Sequence, residues 1–139
     1  MSKKTWVFDP HSGGKKIPDN IKQNIHKRIE DYAAEHYAGL YTRLGIRFKG
    51  QFCYIDAYTE PQVSENWPLA DWPETREEFI ERLRNTPTHL CRLRYLGGEQ
   101  WSLGFYTYSN AKYTPSVFDT GKFIGTPEEG FATSAVYLT

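Results

Sequence analysis

The amino-acid sequence predicts an α+β domain: a single, mostly antiparallel sheet of four to five strands, built from two hairpins, with three helices. Three observations predict this class. A helix-spaced apolar stripe lies near the start, two pairs of alternating runs are joined by glycine turns, and two threonine-led helix starts follow. Short connections favour one sheet over two stacked halves. We assign residues 1–16 to an N-terminal arm and residues 17–139 to one domain.

The first helix is expected to begin near Pro18, because proline is favoured in the first turn. Gly39 is a suitable residue to end it. The helix carries one apolar stripe, formed by Ile21, Ile25, Ile29, Tyr32 and Tyr37.

Two hairpins follow in the chain. The first runs from Arg43 through a turn at Lys49-Gly50 to Tyr58, with apolar and polar residues alternating. The second pairs Thr88–Leu96 with Gln100–Tyr108 across Gly97-Gly98. This alternation gives each hairpin one apolar side and one side rich in arginine and tyrosine.

The remaining elements are shorter. A loop from Glu60 to Pro73 carries two tryptophans and is expected to pack against the protein, and a capping box at Thr75 starts the second helix. A fifth strand near Tyr113–Phe118 should lie at an edge, because it contains a proline. Thr126 should cap a closing helix that ends near Ala135.

The alternation also predicts which residues are buried. The expected core members are Leu44, Ile46, Ile55, Leu93, Trp101, Leu103 and Phe105, with Ile21, Ile25 and Ile29. Cys53 and Cys91 fall in neighbouring predicted strands, so a disulfide stays open, but buried free thiols are the expectation.

Charge and hydropathy exclude several classes of function. Seventeen basic residues balance seventeen acidic ones, which argues against a general polyanion-binding protein but leaves room for a local basic patch. No apolar stretch approaches the roughly 20 residues that span a bilayer, and the N-terminus lacks a signal-peptide core. We therefore expect a cytoplasmic protein that does not enter a membrane.

The polar sides of the four hairpin strands form the candidate ligand-binding set. Its members are Arg43, Arg47, Tyr54, Tyr58, Arg92, Arg94, Tyr106 and Tyr108. Guanidinium groups among tyrosines can stack on planar groups and bind phosphate or carboxylate bidentately. We expect exposed arginines, so that replacing Arg47 and Arg94 together weakens binding with little loss of stability. The alternative is a half-solvated face held by arginine–tyrosine stacking, or one covered by a helix.

Patterns for catalysis and metal binding are weak by comparison. No two of the four histidines lie within four residues of each other, so we expect no metal and no cofactor. The glycines and lysines of residues 13–16 do not match a phosphate-binding loop, and no nucleophile elbow is present. Asp56 and His89 are the candidate acid–base residues of an alternative function, a small hydrolase acting on a phosphorylated substrate.

The stretch from Arg43 to Phe118 resembles a small bacterial protein family of unknown function. The resemblance rests on the first hairpin, the Cys91-Arg-Leu-Arg-Tyr95 run, Trp101-Ser-Leu and a tyrosine-rich strand. It implies no activity and no catalytic residues. The sequence as a whole favours a non-catalytic binding module whose partner is a small anionic ligand, a nucleotide or a protein.

Overall fold

A computed structural model of the chain describes residues 13–138. In chain order the elements are α1 (Asp19–His36), β1 (Arg43–Lys49), β2 (Phe52–Tyr58), α2 (Arg76–Arg84), β3 (Thr88–Gly97), β4 (Gln100–Thr107), β5 (Lys112–Ser116), β6 (Ile124–Gly125), α3 (Pro127–Ser134) and a closing 3-10 turn (Ala135–Leu138). The predicted α+β class is confirmed, with β6 as an additional short strand. Most of the predicted arm, residues 1–12, lies outside the described residues.

Every strand pair in the sheet is antiparallel. The strand order is β1-β2-β3-β4-β5, and β6 also pairs with β4. From β1 to β5, strands that are consecutive in the chain are therefore neighbours in the sheet, as short connections favour. The register places Cys53 opposite Leu93, and Leu93 opposite Leu103, so these side chains share one face of the sheet.

Helices α1 and α3 cover that face and complete the core. Ile25 and Ile29 of α1 and Phe131 of α3 are buried with Leu93 and Trp101. Gly130 lets α3 approach the sheet closely, because a Cβ there would lie 2.6 Å from Leu93 Cδ2.

The predicted core is found on this side of the sheet. Six of its members are fully buried: Ile25, Ile29, Ile55, Leu93, Trp101 and Leu103. Four pack against the buried cluster from its border: Ile21, Leu44, Ile46 and Phe105.

The loop before α2 packs on that helix. The rings of Trp67 and Trp72 lie 5.4 Å apart, and each ring centroid is 6.2 Å from that of Phe79. The predicted capping box is present: Thr75 Oγ1 accepts from the Glu78 amide at 3.1 Å, and Glu78 Oε1 accepts from the Thr75 amide at 2.8 Å. No residue of α2 is buried, so this segment lies outside the main core.

Cys53 and Cys91 are buried free thiols on β2 and β3. The register sets Cys53 opposite Leu93 and Cys91 opposite Ile55, so the two cysteines are not direct cross-strand partners. Burial raises the pKa of the Cys53 thiol well above its ordinary value, and it raises that of Cys91 to about 12. Among residues 13–138, no helix has the length and apolar character to cross a membrane.

We expect both thiols to resist a thiol reagent at mildly alkaline pH and to react once guanidinium chloride unfolds the chain. The raised pKa values keep the thiols protonated in the folded state while those of the unfolded chain ionise. Burial of the protonated thiols therefore stabilises the folded state fully below the ordinary thiol pKa of 9.0. This stabilisation is lost as the pH rises through the higher pKa of the folded state. Rapid labelling of the folded protein would contradict the assigned burial.

Leu103→Ala should lower the free energy of unfolding by about 2–5 kcal/mol, because it opens a cavity in the core. Leu103 is 3% exposed. The matched control is Leu69→Ala at a leucine that is 57% exposed, for which urea melts should show a change below about 0.5 kcal/mol. Equal losses of stability at the two leucines would show that Leu103 does not lie on the core face of the sheet.

Candidate functional site

The candidate site is the sheet face opposite α1 and α3, which we call the Arg/Tyr face. Cross-strand partners point to the same side of an antiparallel sheet, so the register fixes its membership. Arg43 pairs with Tyr58, Arg47 with Tyr54, and Asp56 with His89. The structure brings the whole predicted ligand-binding set to this face: Arg43, Arg47, Tyr54, Tyr58, Arg92, Arg94, Tyr106 and Tyr108.

Cross-strand pairing stacks guanidinium groups on aromatic rings along this face. The guanidinium carbon of Arg43 lies 3.6 Å from the centroid of the Tyr58 ring, and that of Arg47 lies 4.9 Å from the Tyr54 ring. The guanidinium carbon of Arg92 lies 4.0 Å from the centroid of the Phe52 ring. Such cation–π contacts hold each flexible side chain flat against the sheet.

Burial divides the arginines into two groups. Arg43 and Arg47 are exposed, whereas Arg92 and Arg94 are only 7% and 4% exposed. The expectation that all four guanidinium groups are exposed is therefore wrong for Arg92 and Arg94.

Close contacts contribute to the burial of these two arginines. The guanidinium carbon of Arg92 lies 4.0 Å from the centroid of the Phe52 ring and 5.0 Å from that of the Tyr113 ring. Arg94 Nε donates to Ser102 Oγ at 3.1 Å, and the backbone at Gly14 packs so closely that a Cβ there would lie 2.9 Å from Arg94 Cγ. Burial lowers the pKa of Arg92 below its ordinary value, although a hydrogen bond with Tyr54 opposes the shift.

Asp56 and His89, which lie 33 residues apart in sequence, form a hydrogen-bonded pair between β2 and β3. Asp56 Oδ1 accepts from His89 Nδ1 at 2.8 Å, and Asp56 Oδ2 accepts from Arg47 Nη2 at 3.3 Å. The Asp56 side chain is 7% exposed and that of His89 is 29% exposed. Because an ionised carboxylate is an acceptor only, we assign the neutral imidazole a proton on Nδ1 and a lone pair on Nε2.

Tyrosine rings surround His89. Its ring centroid lies 4.7 Å from that of Tyr106 and 5.9 Å from that of Tyr108, which is stacked at an interplanar angle of 25°. Tyr108 Oη also accepts from the His89 amide at 3.2 Å. Ring contacts and a backbone hydrogen bond therefore both fix the position of His89.

Tyr113 and Phe52 belong to the face although the sequence did not single them out as site residues. Tyr113 lies opposite Tyr106, and its ring contacts Tyr54 and Arg92. Its hydroxyl is buried without a hydrogen-bond partner, and burial raises the pKa of this phenol. The alternation of β5 around Pro115 was the signal that could have placed Tyr113 here.

The depression within the Arg/Tyr face is too small to enclose a ligand. The depression lined by Phe52, Arg92, Gly104 and Pro115 encloses about 10 Å³, the space of a single water molecule. Among residues 13–138, no group of three or more histidine, cysteine or acidic side chains could hold a metal ion. A ligand of this face would therefore lie flat across it, in contact with rings and guanidinium groups.

Comparisons of the chain with protein-family models, curated proteins and solved structures found no match. Its function must therefore be inferred from the residues of the Arg/Tyr face.

The division of the arginines by burial predicts different effects on stability. Arg94→Ala should lower the free energy of unfolding by about 1.5–3 kcal/mol, because it removes a buried, charged donor from Ser102. Arg47→Ala, at a side chain that is 59% exposed, should cost less than about 1 kcal/mol. Urea melts of the two variants test this, and a larger loss at Arg47 would contradict the assigned packing.

Proposed function

We propose that this protein binds a short segment of single-stranded nucleic acid on the Arg/Tyr face. One observation carries the proposal: two arginine–tyrosine stacks and the His89 tyrosine group lie side by side on the sheet face opposite α1 and α3. Aromatic rings on a sheet provide a stacking surface for unpaired bases, and guanidinium groups bind the phosphates between them.

The charge of the face supports an anionic ligand. The strand residues on this side include Arg43, Arg47 and Lys49 at the β1 edge. Among the described strand residues of the face, Asp56 is the sole carboxylate, and its oxygens already accept from His89 and Arg47. Since the whole chain has a formal charge of zero, positive charge is concentrated here.

The spacing of the stacks favours a strand over a mononucleotide. Arg43 and Arg47 are four residues apart on β1, which corresponds to about 13 Å along an extended strand. Each is stacked on its own tyrosine of β2. The two stacks can therefore contact different nucleotides of one segment, whereas a mononucleotide or another small planar anion would occupy one of them.

Exposure identifies the residues that are free to contact the ligand. Tyr108 is 65% exposed, and Tyr54, Tyr58 and Tyr106 are partly exposed. Base stacking on an aromatic ring contributes about 1–3 kcal/mol per base, and the arginines add a salt-dependent phosphate contribution. Arg92 and Arg94 instead support the platform from within.

The proposal is tested by fluorescence anisotropy with short labelled single-stranded RNA and DNA oligonucleotides at about 50 mM salt. We expect binding that weakens as salt rises. Tyr108→Ala should weaken it by about 5-fold or more, the lower end of the stacking contribution, and Arg47→Ala should weaken it and reduce its salt dependence.

The chain offers matched controls for both variants. Arg82 is a half-exposed arginine stacked 5.1 Å from the Phe79 ring on α2, and Tyr137 is 53% exposed near the C-terminus. Arg82→Ala and Tyr137→Ala should bind like the unaltered protein. Equal losses in the control variants, or no binding to any oligonucleotide at low salt, would refute the proposal.

A further inference from the structure

We propose that the Arg/Tyr face also cleaves the RNA that it binds, with His89 Nε2 acting as the general base on a ribose 2′-hydroxyl. This inference rests on the proposed nucleic-acid binding and adds a chemical step to it. The sequence alone pointed to Asp56 and His89 as candidate acid–base residues, and the structure shows them joined by a hydrogen bond of 2.8 Å.

The surroundings of His89 suit a base. With Nδ1 donating to Asp56, the neutral ring keeps its lone pair on Nε2, and this atom has no hydrogen-bond partner among residues 13–138. The side chain is 29% exposed, so the ring is accessible from the face. A buried carboxylate that fixes the tautomer and stabilises the imidazolium is the arrangement that makes histidine an effective base.

Two neighbouring side chains supply the remaining functions. Arg47 is bound to the same carboxylate and has a side chain that is 59% exposed, so its remaining donors can stabilise negative charge on a phosphate. Tyr108 lies with its Oη 3.2 Å from the His89 amide nitrogen, and it provides a hydroxyl proton beside the histidine.

The proposed step is an internal transesterification. His89 Nε2 takes the 2′-hydroxyl proton, the 2′ oxygen forms a bond to the adjacent phosphorus, and the bond from phosphorus to the 5′ oxygen breaks. The leaving 5′ oxygen takes the proton of the Tyr108 hydroxyl. The products are a 2′,3′-cyclic phosphate and a 5′-hydroxyl, and water then returns a proton to Tyr108 and removes one from His89. The nucleophile belongs to the substrate, so the step needs no oxidant, reductant or protein nucleophile.

The experiment compares three oligonucleotides of one sequence: single-stranded RNA, its 2′-O-methyl form and DNA. The unaltered protein should shorten the RNA to fragments that end in a cyclic phosphate, and it should leave the other two intact because they lack the nucleophile. His89→Asn retains an amide that can donate to Asp56 but lacks Nε2. At saturating RNA it should cleave about 10²–10⁴-fold more slowly, a loss much larger than any change in its affinity for the 2′-O-methyl strand.

Asp56 is a positioning residue in this scheme, and Asp56→Asn tests that role. An amide in its place favours the tautomer with the proton on Nε2, so kcat should fall while KM for the RNA stays close to that of the unaltered protein. A purely structural role would instead lower thermal stability and raise KM.

Three results would overturn the inference. Oligonucleotide binding without RNA cleavage would refute the catalytic step and leave the binding function standing. Cleavage that persists undiminished in His89→Asn, purified in the same way, would assign the activity to a contaminating nuclease. Absence of binding to all three strands would refute both proposals together.

Discussion

The alternation of side chains along antiparallel strands is the constraint on which the rest of this structure depends. Cys53, Leu93 and Leu103 form a row that packs under the helices, and their neighbours Tyr54, Arg92 and Gly104 form the adjacent row on the other side. A slip of one residue in any pairing would exchange the two faces of that strand. Tight turns hold the register, with Gly50 and Gly97 at φ values of 60° and 103°, which favour glycine. The core and the candidate site therefore depend on the same pairing.

The Arg/Tyr face combines a buried support with an accessible rim. Arg92 contacts two aromatic rings and is 7% exposed, whereas Arg47 at the β1 edge is stacked on Tyr54 with 59% of its side chain exposed. Asp56 connects the two regions, since it is buried and accepts from both Arg47 and His89. A buried carboxylate needs such partners, and these in turn are held where a ligand can reach them. Under the proposed function, the buried Arg92 supports the sheet and the exposed Arg47 contacts the ligand.

The sequence predicts the strands and the face on which the arginines lie, but it does not predict the placement of His89 or the burial of Arg94. Alternation predicts the face of Arg43, Arg47, Arg92 and Arg94, because regular strands have a period of two. The same rule would place His89 on the core face, three residues before Arg92. The register irregularity between β2 and β3, after the Ile55–Cys91 pair, leaves Leu90 outside the pairing and turns His89 toward Asp56. The burial of Arg94 depends on the distant backbone at Gly14, and β6 is two residues long, so neither has a local signal.

The central claim is that the Arg/Tyr face, and not the helical side of the domain, is the surface that contacts a ligand. Nuclear magnetic resonance tests it most directly, by titration of a non-cleavable 2′-O-methyl oligonucleotide into labelled protein. We predict that signals of Arg47, Tyr54 and Tyr108 shift with ligand concentration while those of α1 and α3 do not. Shifts confined to the helices, or no shifts at saturating oligonucleotide, would contradict the account.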